Sequence, residues 1–322
     1  MKRVFLLYLA VLVTAHSANL QAQTYPAKPV RIVVPLAPGG NVDLVARALA
    51  QRLSESLGQQ VIVENRPGAS SLVGTQFVAK TPADGYTILA MANTFAAVPA
   101  VLSKPGYDAV KDFTGVTQTC RLPQVLVVTP SLPVRSIKEL VALAKARPGE
   151  LVYASAGAGS TGHFAAELFN QRAGVKMLHV PYKGNSQAII DVIAGQVMMI
   201  YDQVSTSHPH VQAGKLRALA VTVLKRVALF PEVPTIDEAG VKGFDYFTYN
   251  GLLAPAGTPR DIVARLHAEV AKAVGNPAMR ERFMALGVEL AASASPEEFT
   301  TYVRNDLARN VKLAQDAGIK IE

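Results

Sequence analysis

Two short glycine-rich segments hold the residue types that could do chemistry in this chain. The first is Leu36-Ala37-Pro38-Gly39-Gly40-Asn41-Val42-Asp43, and the second is Ser155-Ala156-Gly157-Ala158-Gly159-Ser160-Thr161-Gly162-His163. Glycine lets a backbone come close to a bound group. Where a helix follows, its first N–H groups have no intrahelical partner and its dipole presents positive charge, so the turn can hold an anion. Neither segment contains Lys or Arg. The expected chemistry is therefore capture of a small anion by N–H dipoles, with Ser160 and Thr161 adding hydroxyl donors.

The second segment also admits other chemistries. From Gly157 to Gly162 it fits the G-x-G-x-x-G pattern of dinucleotide-binding turns. Such a turn needs an acid at the end of the next strand, about 20 residues on, to hold the ribose. The sequence there is His179-Val180-Pro181-Tyr182-Lys183, without one. A secreted serine hydrolase using Ser160 is the alternative reading, because Asp202 and His208 follow in hydrolase order. Against it, Ala158 breaks the G-x-S-x-G elbow. His208-Pro209-His210 lacks a third ligand for a metal. The expectation is no catalytic constellation, no metal and no cofactor.

Loops of this kind must sit between strands and helices. An apolar run over 30–36 leads into the first loop and a periodic stretch over 44–57 leaves it, which predicts strand, tight turn and helix. A second strand is expected over 59–65, a helix over 72–80 and a strand over 86–92. Alternation of this sort makes a parallel sheet covered on both faces. A new strand is expected over 125–129, then a helix over 136–147 with Ser136 as N-cap and Glu139 at N3, a capping box. Further strands follow over 151–155, 176–180, 197–201 and 216–223. Helices close the chain over 259–274, 277–286 and 296–317. The organisation predicted is two α/β lobes, 23–122 with 244–322 and 123–243, the second inserted in the first near Leu122 and Gly243.

Composition narrows the partners. The 322 residues are half hydrophobic and 17% charged, enough for a large core. Lys2-Arg3, a short apolar run over 4–13 and small residues up to Ala22 predict a secretory signal peptide over 1–22, too short to span a bilayer, which takes about 20 apolar residues. The formal charge is +8, spread among acids with no basic run, so nucleic acid is an unexpected partner. Cys120 is the single cysteine and cannot form an internal disulfide.

The chain resembles the Bug family of periplasmic solute-binding proteins, which serve tripartite tricarboxylate transporters. The motifs that carry the resemblance are Ala37-Pro38-Gly39-Gly40 with Asp43 and Arg47; Glu64-Asn65-Arg66-Pro67-Gly68-Ala69; Asp84-Gly85-Tyr86-Thr87; the second glycine loop; Val180-Pro181-Tyr182-Lys183-Gly184; and Pro255-Ala256-Gly257-Thr258-Pro259. The resemblance implies a two-lobed periplasmic binding protein fold, each lobe a mostly parallel sheet flanked by helices, with the ligand cleft between them. It implies a monomer that hands a small organic carboxylate to membrane subunits of the transporter. The ligand-binding residues implied are Leu36, Pro38, Gly39, Gly40, Asn41 and Asp43 from the first loop, Ser155, Gly157, Ala158, Gly159, Ser160, Thr161 and His163 from the second, and Asp202. Amides of Gly39, Gly40 and Asn41 would face those of Gly159, Ser160 and Thr161, while Asp43 orders its loop. Four departures stand out. Ser70-Ser71 replace the usual double glycine, Met198 replaces a common aspartate, Leu36 replaces an aromatic residue, and the chain has no Trp, which leaves Phe95 and Tyr249 as candidate pocket aromatics.

Overall fold

Strand β1 (Val30–Val34) lies between β2 (Val61–Asn65) and β3 (Thr87–Ala92), parallel to both. The computed structural model describes residues 25–319, so the leader expected over 1–22 lies outside the described residues. Four of the five β1 residues are buried, as in a strand covered on both faces. Helix α1 (Asn41–Leu57) begins three residues before its apolar periodicity does, directly on Gly40. Its positions Val42, Val45, Ala46, Leu49, Leu53 and Leu57 form one stripe that packs on Val30, Ile32 and Ile88. Each of its fully buried Leu and Val side chains contributes ~1.5–3 kcal/mol through area removed from water. Helices α2 (Leu72–Ala79) and α3 (Thr94–Val101) cover the other face.

The rest of the chain runs β4 (Phe113–Val128), α4 (Ile137–Ala146), β5 (Val152–Ser155), α5 (Thr161–Ala173), β6 (Leu178–Pro181), α6 (Asn185–Ile193), β7 (Met199–Gln203), α7 (Val204–Gln212) and β8 (Arg217–Val221). It finishes with β9 (Phe247–Pro255), α8 (Arg260–Val274), α9 (Pro277–Met284), β10 (Glu289–Leu290) and α10 (Pro296–Asp316). Ser136 Oγ caps α4 by accepting from the Glu139 amide at 3.2 Å, and the Glu139 carboxylate reaches back to the Arg135 amide at 2.6 Å. Among the described residues, no helix is long and apolar enough to cross a membrane.

One curled sheet runs β2-β1-β3-β9-β4-β7-β5-β6, with β8 and β10 also paired to β4. Each end is parallel, β2-β1-β3 at one and β7-β5-β6 at the other. The strands between them are antiparallel. Strand β9 runs against β3 and β4, and β4 runs against β7. Strand β4 has 16 residues and changes partners along its length. Up to Pro123 it pairs with β9, and from Gln124 onward it pairs with β7, joined one residue later by β8. The strand expected from Val125 thus starts at Phe113, and β9 was not anticipated at all. Helix α10 is a second tie across the molecule. Its Phe299 and Val303 pack on the α2/α3 side, while Leu313 and Ala314 pack with Phe169 and Tyr201.

Candidate ligand-binding site

Loop one leaves the buried end of β1 and enters α1, and three residues clamp it. Asp43, only 2% exposed, accepts from the Gly39 amide at 2.9 Å and from Arg47 Nε at 3.0 Å through Oδ2. Its Oδ1 accepts from Asn65 Nδ2 at 2.9 Å. Asn65, at the end of β2, also donates to the Leu36 carbonyl at 3.1 Å and accepts from Arg47 Nη2 at 2.8 Å. Burial alone would raise the Asp43 carboxyl, but donors from Arg47, Gly39 and Asn65 outweigh it and hold the group below the usual carboxylate range. Gly39 sits at φ +86°, where a Cβ is disfavoured, and this lets its N–H turn inward to Asp43. Gly40 has φ −77° and only the Ala37 carbonyl oxygen, at 3.9 Å, near an added Cβ. A positive φ at Gly40 is therefore not the reason for glycine there.

The Gly39 amide, expected to face the ligand, is instead engaged by Asp43. The N–H groups of Gly40 and Asn41 have no partner among the described residues. They open a 17-residue helix, so the positive end of its dipole is presented at this point.

Loop two is held in the same manner by a histidine. The Gly159 amide donates to His163 Nδ1 at 3.1 Å, which places the His163 proton on Nε2. Ser160 caps α5, its Oγ accepting from the His163 amide at 3.4 Å, and its own amide donates to the Gly157 carbonyl at 3.1 Å. Of the three amides expected to reach a ligand from this loop, only that of Thr161 is unengaged among the described residues. Burial, reinforced by His179, lowers His163 to about 3, and burial lowers His179 to about 4, so both rings are neutral. The two rings stack at 3.7 Å. Ser155 donates its hydroxyl proton to the Gly157 carbonyl at 3.0 Å and lies 2.6 Å from His179 Nε2.

The hydrolase alternative finds no assembly. Ser160 is a helix cap, and His208 packs edge-on against Phe230 at 5.2 Å. Asp202 accepts from Asn185 at 2.5 Å, from Ser207 at 2.9 Å and from Thr206, and burial raises its carboxyl despite them. At 1% exposure it is a satisfied carboxylate at a strand end and presents no free oxygen to the cleft. The two aromatic candidates are core residues. Phe95 packs on Tyr107 and Phe113, and Tyr249 donates to Asp306 at 2.9 Å.

A cavity of about 190 Å³ opens beside loop one. Leu36, Ala37, Gly40, Asn41, Val42 and Asp43 line it from the loop and α1, and Ala92, Leu122, Thr248 and Asn250 from the sheet. Gln203 joins from β7, accepting from Asn41 Nδ2 at 3.4 Å. Asn93, just past β3, donates to Thr161 Oγ1 at 2.5 Å and brings the start of α5 against the same end of the sheet. Sequence reasoning missed the polar wall residues Gln203, Thr248 and Asn250, and Asn93 beside them. A signal existed for Asn93, a polar amide that ends the apolar run of β3 in Met91-Ala92-Asn93. The residues Pro38 and Gly157 do not line this cavity, and Ala158 and His163 line a separate hollow of about 540 Å³ behind α5. A hollow of about 440 Å³ lies on the other face of β4, with Arg121 and Pro123 in place of Leu122, but neither glycine loop reaches it.

The profile of the tripartite tricarboxylate transporter family receptor matches residues 45–319. BugT of Bordetella pertussis is 35% identical over 95% of this chain and 94% of its own length. Among solved structures, R. palustris Rpa4515 with adipate is 39% identical with a TM-score of 0.75, covering 92% of this chain and 99% of that one. MatC from Rhodopseudomonas palustris with bound malate is 31% identical with a TM-score of 0.71, covering 90% and 99%. The shared architecture is that of the periplasmic binding proteins.

Proposed function

This chain belongs to the tripartite tricarboxylate transporter receptor family, and on that premise we propose that it is a periplasmic solute-binding protein that captures a small organic carboxylate. It acts as a monomer and passes the ligand to the membrane subunits of such a transporter. Its lobes are 23–122 with 244–322 and 123–243, and they close over the ligand. One observation carries the reading: two unengaged amides, Gly40 and Asn41, open a long helix onto a cavity that Gln203 closes from across β4. A carboxylate fits such a point because it supplies two acceptor oxygens and a full negative charge. The Thr161 amide and the Ser160 and Thr161 hydroxyls join it from the second loop. Adipate and malate in the two relatives belong to the same chemical class.

Titration calorimetry of the purified protein against a series of small carboxylic acids and their amides tests this. At least one acid binds and its amide does not, since an amide N–H₂ would meet donors with a donor. Gly40→Val folds normally, because its backbone is not strained, yet loses the ligand, because the side chain fills the cavity beside the amides. Unchanged affinity in a folded Gly40→Val protein would refute the reading.

A further inference from the structure

We propose that the hollow of about 440 Å³ on the other face of β4 is a second binding site, for a zwitterionic α-amino acid with a large apolar side chain. It goes beyond the carboxylate reading above and shares no residue with either glycine loop. Side chains alternate across a strand. Leu122 of β4 and Thr248 of β9 face the first cavity, so Arg121, Pro123 and Phe247 face this one. Residues 223–229 wall it on one side and 284–289 on the other. Its volume is that of a small-molecule site, which spans ~300–1,000 Å³. Val223, Val227, Phe247 and Val288 supply apolar wall. Leu224 and Met284, 55% and 48% exposed, stand in the same wall with apolar surface still uncovered.

Charge decides what fills it. Asp245 is half-buried near Arg121 and Arg309, yet it has no hydrogen bond and no ion pair among the described residues. Arg309 is committed to Asp306. Burial raises the Asp245 carboxyl and the two guanidiniums only partly offset it, so this group still lacks a donor. Arg121 is unpaired among the described residues as well. It stands in register with Glu289 of β10 without bonding to it, and its guanidinium lies over the Phe247 ring, 5.1 Å from the centroid. Arg226 is tied to Glu238 at 3.0 Å. That leaves Arg121 and Lys225 against Asp245 and Glu289, a wall neutral overall with both signs unpaired. An anion or a cation alone would satisfy one sign and leave the other desolvated without a partner. An amino acid answers both: its ammonium donates to Asp245, and its carboxylate accepts from the planar fork of Arg121. Its apolar side chain then covers Leu224 and Met284.

The test is calorimetry with L-leucine and L-phenylalanine, each beside its N-acetyl form, which lacks the ammonium, and its amide, which lacks the carboxylate. At least one of the two amino acids should bind, with both of its blocked forms about tenfold or more weaker. Glycine, which has the same head and no side chain, should give no measurable heat. Asp245→Asn should erase the advantage over the N-acetyl form, and Arg121→Gln the advantage over the amide. Neither side chain has a bond to lose, so both variants fold, and the blocked forms test the site on the parent protein in any case. Gly40→Val, which disables the first cavity, should change these affinities by no more than about twofold. Binding that is lost in Gly40→Val but kept in the other two variants puts the amino acid in the first cavity and overturns the assignment. So does a blocked form that binds as tightly as its parent, or the failure of both amino acids to bind. That failure leaves the carboxylate reading standing, because the acid titrations test it separately.

Discussion

Replacing Asp43 by Asn isolates what holds the first loop. The aspartate takes two donors on Oδ2, Gly39 N and Arg47 Nε, and one on Oδ1, Asn65 Nδ2. Asparagine has a single oxygen. If it faces Gly39 and Arg47, its N–H₂ opposes the N–H₂ of Asn65. Flipping the Asn65 amide to relieve that conflict would break its bond to the Leu36 carbonyl and turn its N–H₂ toward Arg47. No arrangement satisfies all the donors. The conflict costs about 1–3 kcal/mol as a buried group left unpaired. Loss of the pair to the half-exposed Arg47 adds little, because solvent screens it. The cost, about 1–3 kcal/mol, corresponds to a Tm roughly 2–12 °C lower for a chain of this size. Differential scanning calorimetry measures it, with Arg47→Gln as the control that removes the outer pair and its bond to Asn65 and lowers Tm less than Asp43→Asn does. An Asp43→Asn protein melting within about 1 °C of the parent would refute the view that this carboxylate organises the loop.

Two further outcomes follow from the same geometry. His163 and His179 stay neutral in the fold, whereas in the unfolded chain they take up protons near 6.5, so stability is lost as pH falls from about 6.5 toward 4. For His163 the loss approaches ~1.4 kcal/mol per pH unit, and Tm followed from pH 7 to 4.5 should show a shallower decline in His163→Asn. At the turn before α2, Ala69, Ser70 and Ser71 all adopt positive φ, of 45°, 53° and 81°. Ser70→Gly should raise Tm by a few degrees, because a left-handed non-glycine residue costs about 1–2 kcal/mol, and an unchanged or lower Tm would show that the turn carries no such strain.

How much of this was legible beforehand depended on the physical signal. The βα units at each end of the sheet announce themselves through apolar runs and glycine turns, and the capping serine of α4 stands at its helix start as expected. The central antiparallel strands did not. Residues 113–123 carry Thr114, Thr117, Gln118 and Thr119 and end at Pro123, a pattern that argues against a central strand. They form one because side chains from the segment after β10 and from α10 satisfy them, as where Ser293 Oγ accepts from the Gln118 amide and Thr300 Oγ1 from the Gly115 amide. Strand β9 has Gly251 at its middle, which reads as a breaker. It is there because a Cβ would meet the Phe299 ring at 2.1 Å. At the site, the two loops were identifiable by type and spacing, but which amides they leave unengaged was not. That depends on Asp43 and His163 turning back onto Gly39 and Gly159, a detail of side-chain geometry. Asn250 and Gln203 are visible only once strands distant in sequence lie side by side.

The place of β9 has a consequence for how the molecule comes into being. It fills the gap between β3 and β4, two strands made far earlier, and it comes from near the end of the chain. A growing polypeptide that has not yet reached Pro255 holds two open sheet edges with nothing to join them, and α10, the other tie, is later still. Consolidation must wait for the last third of the chain, so the order of translation keeps this protein unlocked until it is nearly whole.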